Sequence, residues 1–336
     1  MKSRAARRRR TNQALLLLVP IAVGTGLFSN TIGVDWWLDP ATMHGVVALA
    51  IAVLTPWKAP IVQRGLGRTH RSRWTSVVLL GMIATTLATG LLHSTGFQNR
   101  LGPLTVMQVH IGGALVTLIM IIFHYRSHPV PLRSTDLDRR AFLGTIRVTA
   151  AAGAVWALWE GGLGAVGASG SSRRFTGSHE RGSFSPAAMP VTSWLDDRPP
   201  SIDGSTWSVA VNARPVTLDQ LASAPRDTFA AVLDCTSAWY SEQDWTGVRL
   251  DRLLAPGDAR SVLVRSRTGY SRRFPIADLD RLWLVTELGG KPLSPGHGFP
   301  ARMVAPGRRG FWWVKWVATI EASRVPWWWQ LPFPVT

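Results

Sequence analysis

Five apolar stretches, punctuated by clusters of arginine, fill the first half of this chain and decide what it can fold into. They run near residues 13–33, 41–57, 75–95 and 105–124, with a weaker fifth from about 142 to 168. About 20 apolar residues in a helix cross the roughly 30 Å hydrocarbon layer of a bilayer. A helix also satisfies its own backbone hydrogen bonds, which the membrane interior demands. The basic residues fall on alternate sides of these stretches. One cluster (Lys2, Arg4, Arg7 to Arg10) precedes the first stretch. A second (Lys58, Arg64, Arg68, Arg71, Arg73) separates the second from the third, and another (Arg126, Arg133, Arg139, Arg140, Arg147) follows the fourth. Residues 34–40 carry no Lys or Arg, and residues 96–104 only Arg100. The positive-inside rule then predicts a multi-pass protein of the cytoplasmic membrane, N-terminus inside, with membrane lipid as its first partner.

Charge and cysteine count narrow the chemistry. The formal net charge is +17, and residues 1–170 hold most of it, with 17 Lys and Arg against 5 Asp and Glu. A nucleic-acid site needs cations gathered on one face of a soluble fold; clusters between apolar stretches do not provide that, so nucleic acid is not an expected partner. The 336 residues allow two domains. The single Cys excludes an internal disulfide framework, a four-cysteine zinc site and a self-ligated iron–sulfur cluster.

The fifth stretch opens Asp138-Arg139-Arg140-Ala141-Phe142-Leu143 and continues rich in Ala and Gly, with Arg147 and Glu160 inside it. An arginine pair before Phe-Leu and a weakly apolar run reads as a twin-arginine export signal kept as an uncleaved anchor. The plainer reading is two further positive-inside arginines. Residues 170–200, rich in Ser, Gly, Arg and Pro, read as a linker or an extended wrapping segment. From about 206 the pattern turns to short strands, as in the alternation of Trp207 to Val211, separated by turn residues.

Six of the eight histidines fall within residues 1–128, and four of them mark the apolar stretches. His44 opens the second stretch, His93 closes the third, and His110 and His124 lie near the two ends of the fourth. An ionisable residue in a span is costly and is a functional candidate, and neutral imidazole is a common axial ligand of haem iron. His110 and His124, 14 residues apart, share a helix face about 21 Å apart along the axis. His44 is the natural opposite ligand for His110 near the outer surface. His93 would replace an outer ligand or bond a haem propionate. For His124 the matching position on the second stretch is Lys58, with His70 a reach from the inner loop. Gly112 and Gly113 leave room beside His110 for a macrocycle. The alternative is that these histidines bond headgroups or loop carbonyls at the interface. The segment around His110 resembles the membrane cytochrome b subunits of the four-helix kind, over about 120 residues. That resemblance implies one outer haem b, with a second inner haem as an extension.

Cys235 ends an apolar run, Phe229 to Leu233 then Asp234. A thiol at a strand end is placed to meet a ligand. With His297 as a base it would also suit a thiol hydrolase. The segments Cys235-Thr236-Ser237-Ala238-Trp239-Tyr240 and Trp245-Thr246-Gly247-Val248-Arg249-Leu250 resemble the molybdenum-binding domain of the sulfite oxidase family. So do Gly289-Gly290-Lys291-Pro292-Leu293, Gly296-His297-Gly298-Phe299-Pro300-Ala301-Arg302 and Gly310-Phe311-Trp312-Trp313-Val314-Lys315-Trp316, in the family's order. The resemblance covers about 174 to 333. It implies a molybdenum–pyranopterin (molybdopterin) cofactor with Cys235 as the protein's one thiolate ligand, a soft donor for such a metal. It also implies that His297 bonds the pyranopterin and that Arg302 meets its polar or phosphate end. Lys315, with the backbone of Trp313 and Val314, would close the phosphate pocket. Ser266, Thr176 and Ser178 would line the cofactor. No Arg follows Cys235 until Arg249, unlike the sulfite-oxidising branch, and the chain looks more like the bacterial branch that includes methionine-sulfoxide reductases. Trp239 and Tyr240 are then the expected pocket wall and catalytic neighbours.

The expected architecture is an α-helical membrane bundle followed by a mixed α+β, strand-rich domain. Residues 1–140 form the cytochrome b-like part, 141–170 the fifth helix and 171–336 an exported oxidoreductase domain. The expected reaction is two-electron oxygen-atom transfer outside the membrane, with electrons passing through haem b from the quinone pool or another membrane carrier to reduce a small-molecule or peptide S- or N-oxide. The alternatives are a sulfite-dehydrogenase-like oxidase with reversed flow, or a non-haem anchor carrying a cofactor-binding module. Tryptophan favours membrane interfaces, so Trp312, Trp313, Trp316 and Trp327 to Trp329 suggest a domain resting on the outer leaflet.

Overall fold

A computed structural model of the chain describes residues 2–34, 39–66, 72–127, 139–194 and 197–334. It divides into two compact units, Met1–His179 and Glu180–Thr336.

The first unit is helical: α1 (Lys2–Thr31), α2 (Pro40–Leu66), α3 (Ser72–Thr95), α4 (Val106–Ser127) and α5 (Arg139–Ala165). Each contains a segment long and apolar enough to cross a membrane. Local signals set the helix starts. Asp39 Oδ1 accepts the amides of Ala41 (2.8 Å) and Thr42 (3.1 Å), and Pro40, whose missing N–H costs nothing there, takes the first helical position of α2. Thr105 and Gln108 exchange side-chain and backbone bonds at the head of α4, a reciprocal cap. In the helical bundle α1 packs on α2, α3 on α4, and α5 on α2. Leu17, Leu115, Ile119, Phe123 and Leu158 are exposed on these helices. Glu160 of α5 pairs with Arg173 at 2.5 Å, so its charge is matched. A Cβ on Gly45 of α2 would come within 2.4 Å of the Trp156 ring of α5; only glycine admits that ring.

The second unit is built on two sheets. One has the order β2 (Arg214–Thr217), β1 (Ser208–Val211), β10 (Val317–Ser323), β5 (Ser261–Ser266), β6 (Ser271–Pro275). All its pairs are antiparallel except β10 with β1. In the other, the hairpin β3 (Asp227–Cys235) and β4 (Trp239–Arg249) pairs through β4 with β7 (Trp283–Leu288). Two short strands, β8 (Lys291–Pro292) and β9 (Arg302–Val304), also pair with β7. Alternation explains the pairing: in β1, Val209 and Val211 are buried while Ser208 is exposed. The core between the sheets is filled by Trp245, Phe274, Leu284, Met303 and Ile320. Trp312, Trp313 and Trp316 are buried as well, which corrects their assignment to a membrane interface; Trp327, Trp328 and Trp329 are the exposed ones of that group.

Candidate functional site

Cys235 is the last residue of β3, and its strand neighbour Asp234 is buried. A three-residue loop, 236–238, turns the chain into β4. Its last residue, Ala238, sits at φ 70°, a left-handed conformation that a side chain adopts only under strain. The turn holds the thiol in place: Ala238 N–H donates to Cys235 O at 3.1 Å and Ser237 N–H approaches Sγ at 3.5 Å. From a distant segment, Thr192 Oγ1 meets Sγ at 3.2 Å. Beneath the thiol, Arg309 Nη2 donates to Cys235 O at 3.1 Å, and Nη1 pairs with Asp234 Oδ1 at 2.5 Å in a fully buried ion pair. Gly310 lies so near that a Cβ there would be 3.2 Å from Cys235 Cα.

Three basic side chains gather in the same unit. Lys315 Nζ donates to Thr192 O (2.7 Å) and Gly296 O (2.6 Å), so Thr192 links it to the thiol. Arg302 donates to His297 O (3.2 Å) and Trp313 O (3.4 Å) and lies over the rings of Trp245 and Trp313. Its Nε is buried without an acceptor. His297 is fixed at both ring nitrogens, by Ser294 Oγ (2.9 Å) and Met189 O (3.3 Å). Burial, then the charges of Arg302 and Lys315, push His297 down to about 4, so the ring is neutral at pH 7. Burial and Arg302 push Lys315 down to about 7, against the pull of Cys235 and Asp197. Burial lowers Arg302 to about 10, with Cys235 opposing. Burial lowers all three groups, and the charge of Arg302 lowers Lys315 and His297 further, so the cluster offers buried donors suited to an anionic group. A phosphate-bearing cofactor with a metal on the thiolate fits this donor set.

The structure treats the expected residues unequally. Cys235, His297, Arg302 and Lys315 come together. Trp239 lies opposite Cys235 in register, on the same sheet face, and is buried. Tyr240 is opposite Asp234 and so faces the other side, which removes it from the thiol's wall. The amides of Trp313 and Val314 donate to Gly310 O and Trp312 O, within and just after the tight 3-10 turn of residues 310–312. Ser266 bonds Thr268, which donates to Asp197, the acid that acts on Lys315. Thr176 and Ser178 fall in the first unit, where Ser29 Oγ donates to Thr176 O. His297 bonds Ser294 and Met189 rather than Cys235. Thr192, Asp234 and Arg309 escaped the sequence reading. For Asp234 and Arg309, the signal was a lone acid beside the Cys and an Arg at the head of Gly-Phe-Trp-Trp.

In the first unit, the rings of His44 and His110 lie 5.8 Å apart, at 86° to each other. His44 Nδ1 bonds Ala22 O at 3.0 Å and His110 Nδ1 bonds Thr86 O at 2.9 Å. His93 is engaged elsewhere, with Nε2 donating to Gly177 O at 2.9 Å and its ring against His179. Lys58, the residue matching His124 on α2, donates to Asn12 Oδ1 at 2.6 Å, and His70 lies outside the described residues. Gly113 is packed against Thr86 Oγ1, so only Gly112 of that pair leaves open space.

Comparison with known proteins agrees with the second unit. Residues 197–328 match the family model described as oxidoreductase molybdopterin binding domain. NADPH nitrate reductase of Mycosarcoma maydis is 41% identical over 78 residues, covering 20% of this chain and 8% of that protein. Mitochondrial sulfite oxidases of Rattus norvegicus and Homo sapiens are each 26% identical over 165 residues, covering 37% of this chain and 30% of theirs. The chain thus spans less than a third of the length of these relatives. Among solved structures, the sulfane dehydrogenase SoxCD from Paracoccus pantotrophus aligns at a TM-score of 0.35 and 23% identity, over 38% of this chain and 40% of that one. The second unit carries a sulfite-oxidase-like, molybdopterin-binding oxidoreductase domain.

Proposed function

We propose that this chain is a membrane-anchored molybdenum oxidoreductase that carries out two-electron oxygen-atom transfer, reducing an S- or N-oxide outside the cytoplasm. The observation that carries the reading is the joining of Cys235 to the Lys315–Arg302–His297 cluster through residues 189–192. When bound there, the molybdenum pyranopterin supplies the oxygen-atom chemistry. The chain's own residues do the rest. Cys235 offers its thiolate, oriented by Thr192 Oγ1 and Ser237 N–H. Lys315, with an N–H to spare beyond its two carbonyls, and Arg302, through its orphan Nε, meet the cofactor's phosphate and polar end. Neutral His297 bonds without adding charge. Trp239 supplies an apolar wall on the thiol's side of the sheet. With Arg302 turned to the cofactor's phosphate and Arg309 held by Asp234 in a buried pair, little is left to grip a substrate dianion such as sulfite; this favours a neutral oxide.

The five apolar helices anchor the chain in the cytoplasmic membrane, and the basic clusters put the N-terminus inside. The second unit is then exported, with Arg139-Arg140 as its signal. In the first unit, His44 and His110 would hold a haem b, which when bound would supply one-electron transfer from the quinone pool.

The test is metal and haem content of the detergent-purified chain beside Cys235→Ala and His110→Ala. Each variant should lose its own cofactor and keep the other. A chain without molybdenum, from cells that make the cofactor, would overturn the enzyme reading. Reduction of methyl sulfoxides by reduced quinol analogue, with no oxidation of sulfite, is the expected activity. Sulfite oxidation alone would reverse the electron flow.

A further inference from the structure

The two histidines that face each other in the membrane unit are presented in the same way by two helix hairpins. On α1, Thr25 Oγ1 bonds back to Ile21 O (2.9 Å) and Ala22 O (3.0 Å). On α3, Thr89 Oγ1 bonds back to Thr85 O (2.7 Å) and Thr86 O (3.1 Å). The next residue is glycine in both, Gly26 and Gly90. A Cβ on Gly26 would stand 3.1 Å from His44 Cε1, and one on Gly90 3.0 Å from His110 Cε1. The carbonyl each imidazole bonds, Ala22 O or Thr86 O, lies four residues before that glycine. In an α-helix the Cα–Cβ bond tilts towards the N-terminus, so a side chain at i+4 stands over the carbonyl of i. Glycine uncovers that carbonyl and lets the ring of the neighbouring helix lie on it.

A consequence follows for the rings. A carbonyl only accepts, so Nδ1 carries the proton and the neutral ring's lone pair sits on Nε2. Neither Nε2 makes a hydrogen bond among the described residues. A ligating histidine fixed through its other nitrogen by a backbone carbonyl is the usual arrangement at metal sites. Two metal–nitrogen bonds of about 2.0 Å, with about 1.1 Å more from nitrogen to ring centre, put the centroids about 6 Å apart; these lie at 5.8 Å. Among the described residues no group of three His, Cys, Asp or Glu is placed to hold a metal. A pair of imidazoles suffices only if a macrocycle fills the other positions.

Resting on the haem reading above, we propose that the unit holds a single haem between His44 and His110, and that Gly26 and Gly90 are positioning residues that seat these ligands with their planes crossed. His93 and His124 are not ligands.

The test is haem stoichiometry and low-temperature EPR of the oxidised full-length chain, with molybdenum content as a check that the second unit is folded. The expected wild type holds one haem per chain. Crossed imidazole planes give a strongly anisotropic low-spin ferric signal, whereas parallel planes give an ordinary rhombic one. Gly26→Ala and Gly90→Ala should weaken haem retention by about 10- to 100-fold and shift the signal of what remains. Gly81→Ala, where a Cβ meets nothing within 4 Å, should do neither. His93→Ala and His124→Ala should keep both haem and signal. If a glycine variant fails to accumulate, its potential and spectrum in membranes, against the Gly81 control, serve instead. Two haems per chain, a rhombic signal, or Gly26 and Gly90 variants indistinguishable from Gly81→Ala would each overturn this inference alone. A wild type with no haem would overturn the reading beneath it.

Discussion

The two units bring polar chemistry together by opposite routes. In the helical unit His44 and His110 are each held by the helix packed directly against their own, and small residues decide whether the ring can reach its carbonyl. In the second unit the thiol's surroundings come from Met189, Thr192, His297, Arg302, Arg309 and Lys315, far apart in sequence and gathered by sheet connections. A helical bundle can only offer what stands on neighbouring faces. A sheet hairpin leaves its end open to any segment that crosses it. Disruption should therefore stay local in the bundle and spread in the sheet unit.

The largest effect expected is in the sheet unit. Asp234→Asn leaves Arg309 as an uncompensated buried charge, since the side chains of the pair are 1% and 3% exposed. Breaking such a pair costs about 3–5 kcal/mol, read as a fall in the denaturant midpoint of the second unit, with loss of molybdenum. A smaller effect belongs to the bundle. Gly45→Leu overpacks the seat of Trp156 and should cost about 1–3 kcal/mol, measured as a lower helix-melting temperature with the second unit untouched. Gly161→Leu on α5, with open space around it, is its neutral partner. If Gly45→Leu also removed molybdenum, the contrast between local and spreading damage would fail.

A third effect is a slope rather than a loss. In the folded cofactor-free chain Lys315 titrates near 7, below the ordinary lysine value of 10.5. Between these values the unfolded chain holds a proton that the folded one lacks, so stability rises with pH across that window. Chains from molybdate-starved cells should show this rise, and Lys315→Met should flatten it. The smallest effect is at Arg324, paired with Asp258 but 80% exposed. Arg324→Ala should change stability by less than about 0.5 kcal/mol, because water and salt screen such a pair.

What was legible in the sequence follows the same division. The five spans could be read because lipid demands long apolar runs, and the facing of His44 and His110 because helical spacing projects simply onto a bundle. Cys235 stood out as the lone thiol after an apolar strand. Thr192 did not, since one threonine in a Ser- and Pro-rich segment carries no periodic signal and acquires its role only when that segment crosses the hairpin. Tyr240 was misread because adjacent strand residues face opposite ways, and the register was needed to tell which faced the thiol. The Thr25-Gly26 and Thr89-Gly90 pairs lie 64 residues apart and look like ordinary span residues until α1 is seen against α2 and α3 against α4. The burial of Trp312, Trp313 and Trp316 was hidden because abundance of tryptophan says nothing of which side of the sheet it serves.

The notch at Gly45 also imposes a calendar on the membrane unit. The ring that fills it belongs to Trp156, made 111 residues later in synthesis (156 − 45). Until α5 arrives, the helix bearing His44 stands with one flank unclosed, still able to admit something larger than an indole. Docking of the fifth helix is then what closes that flank of α2.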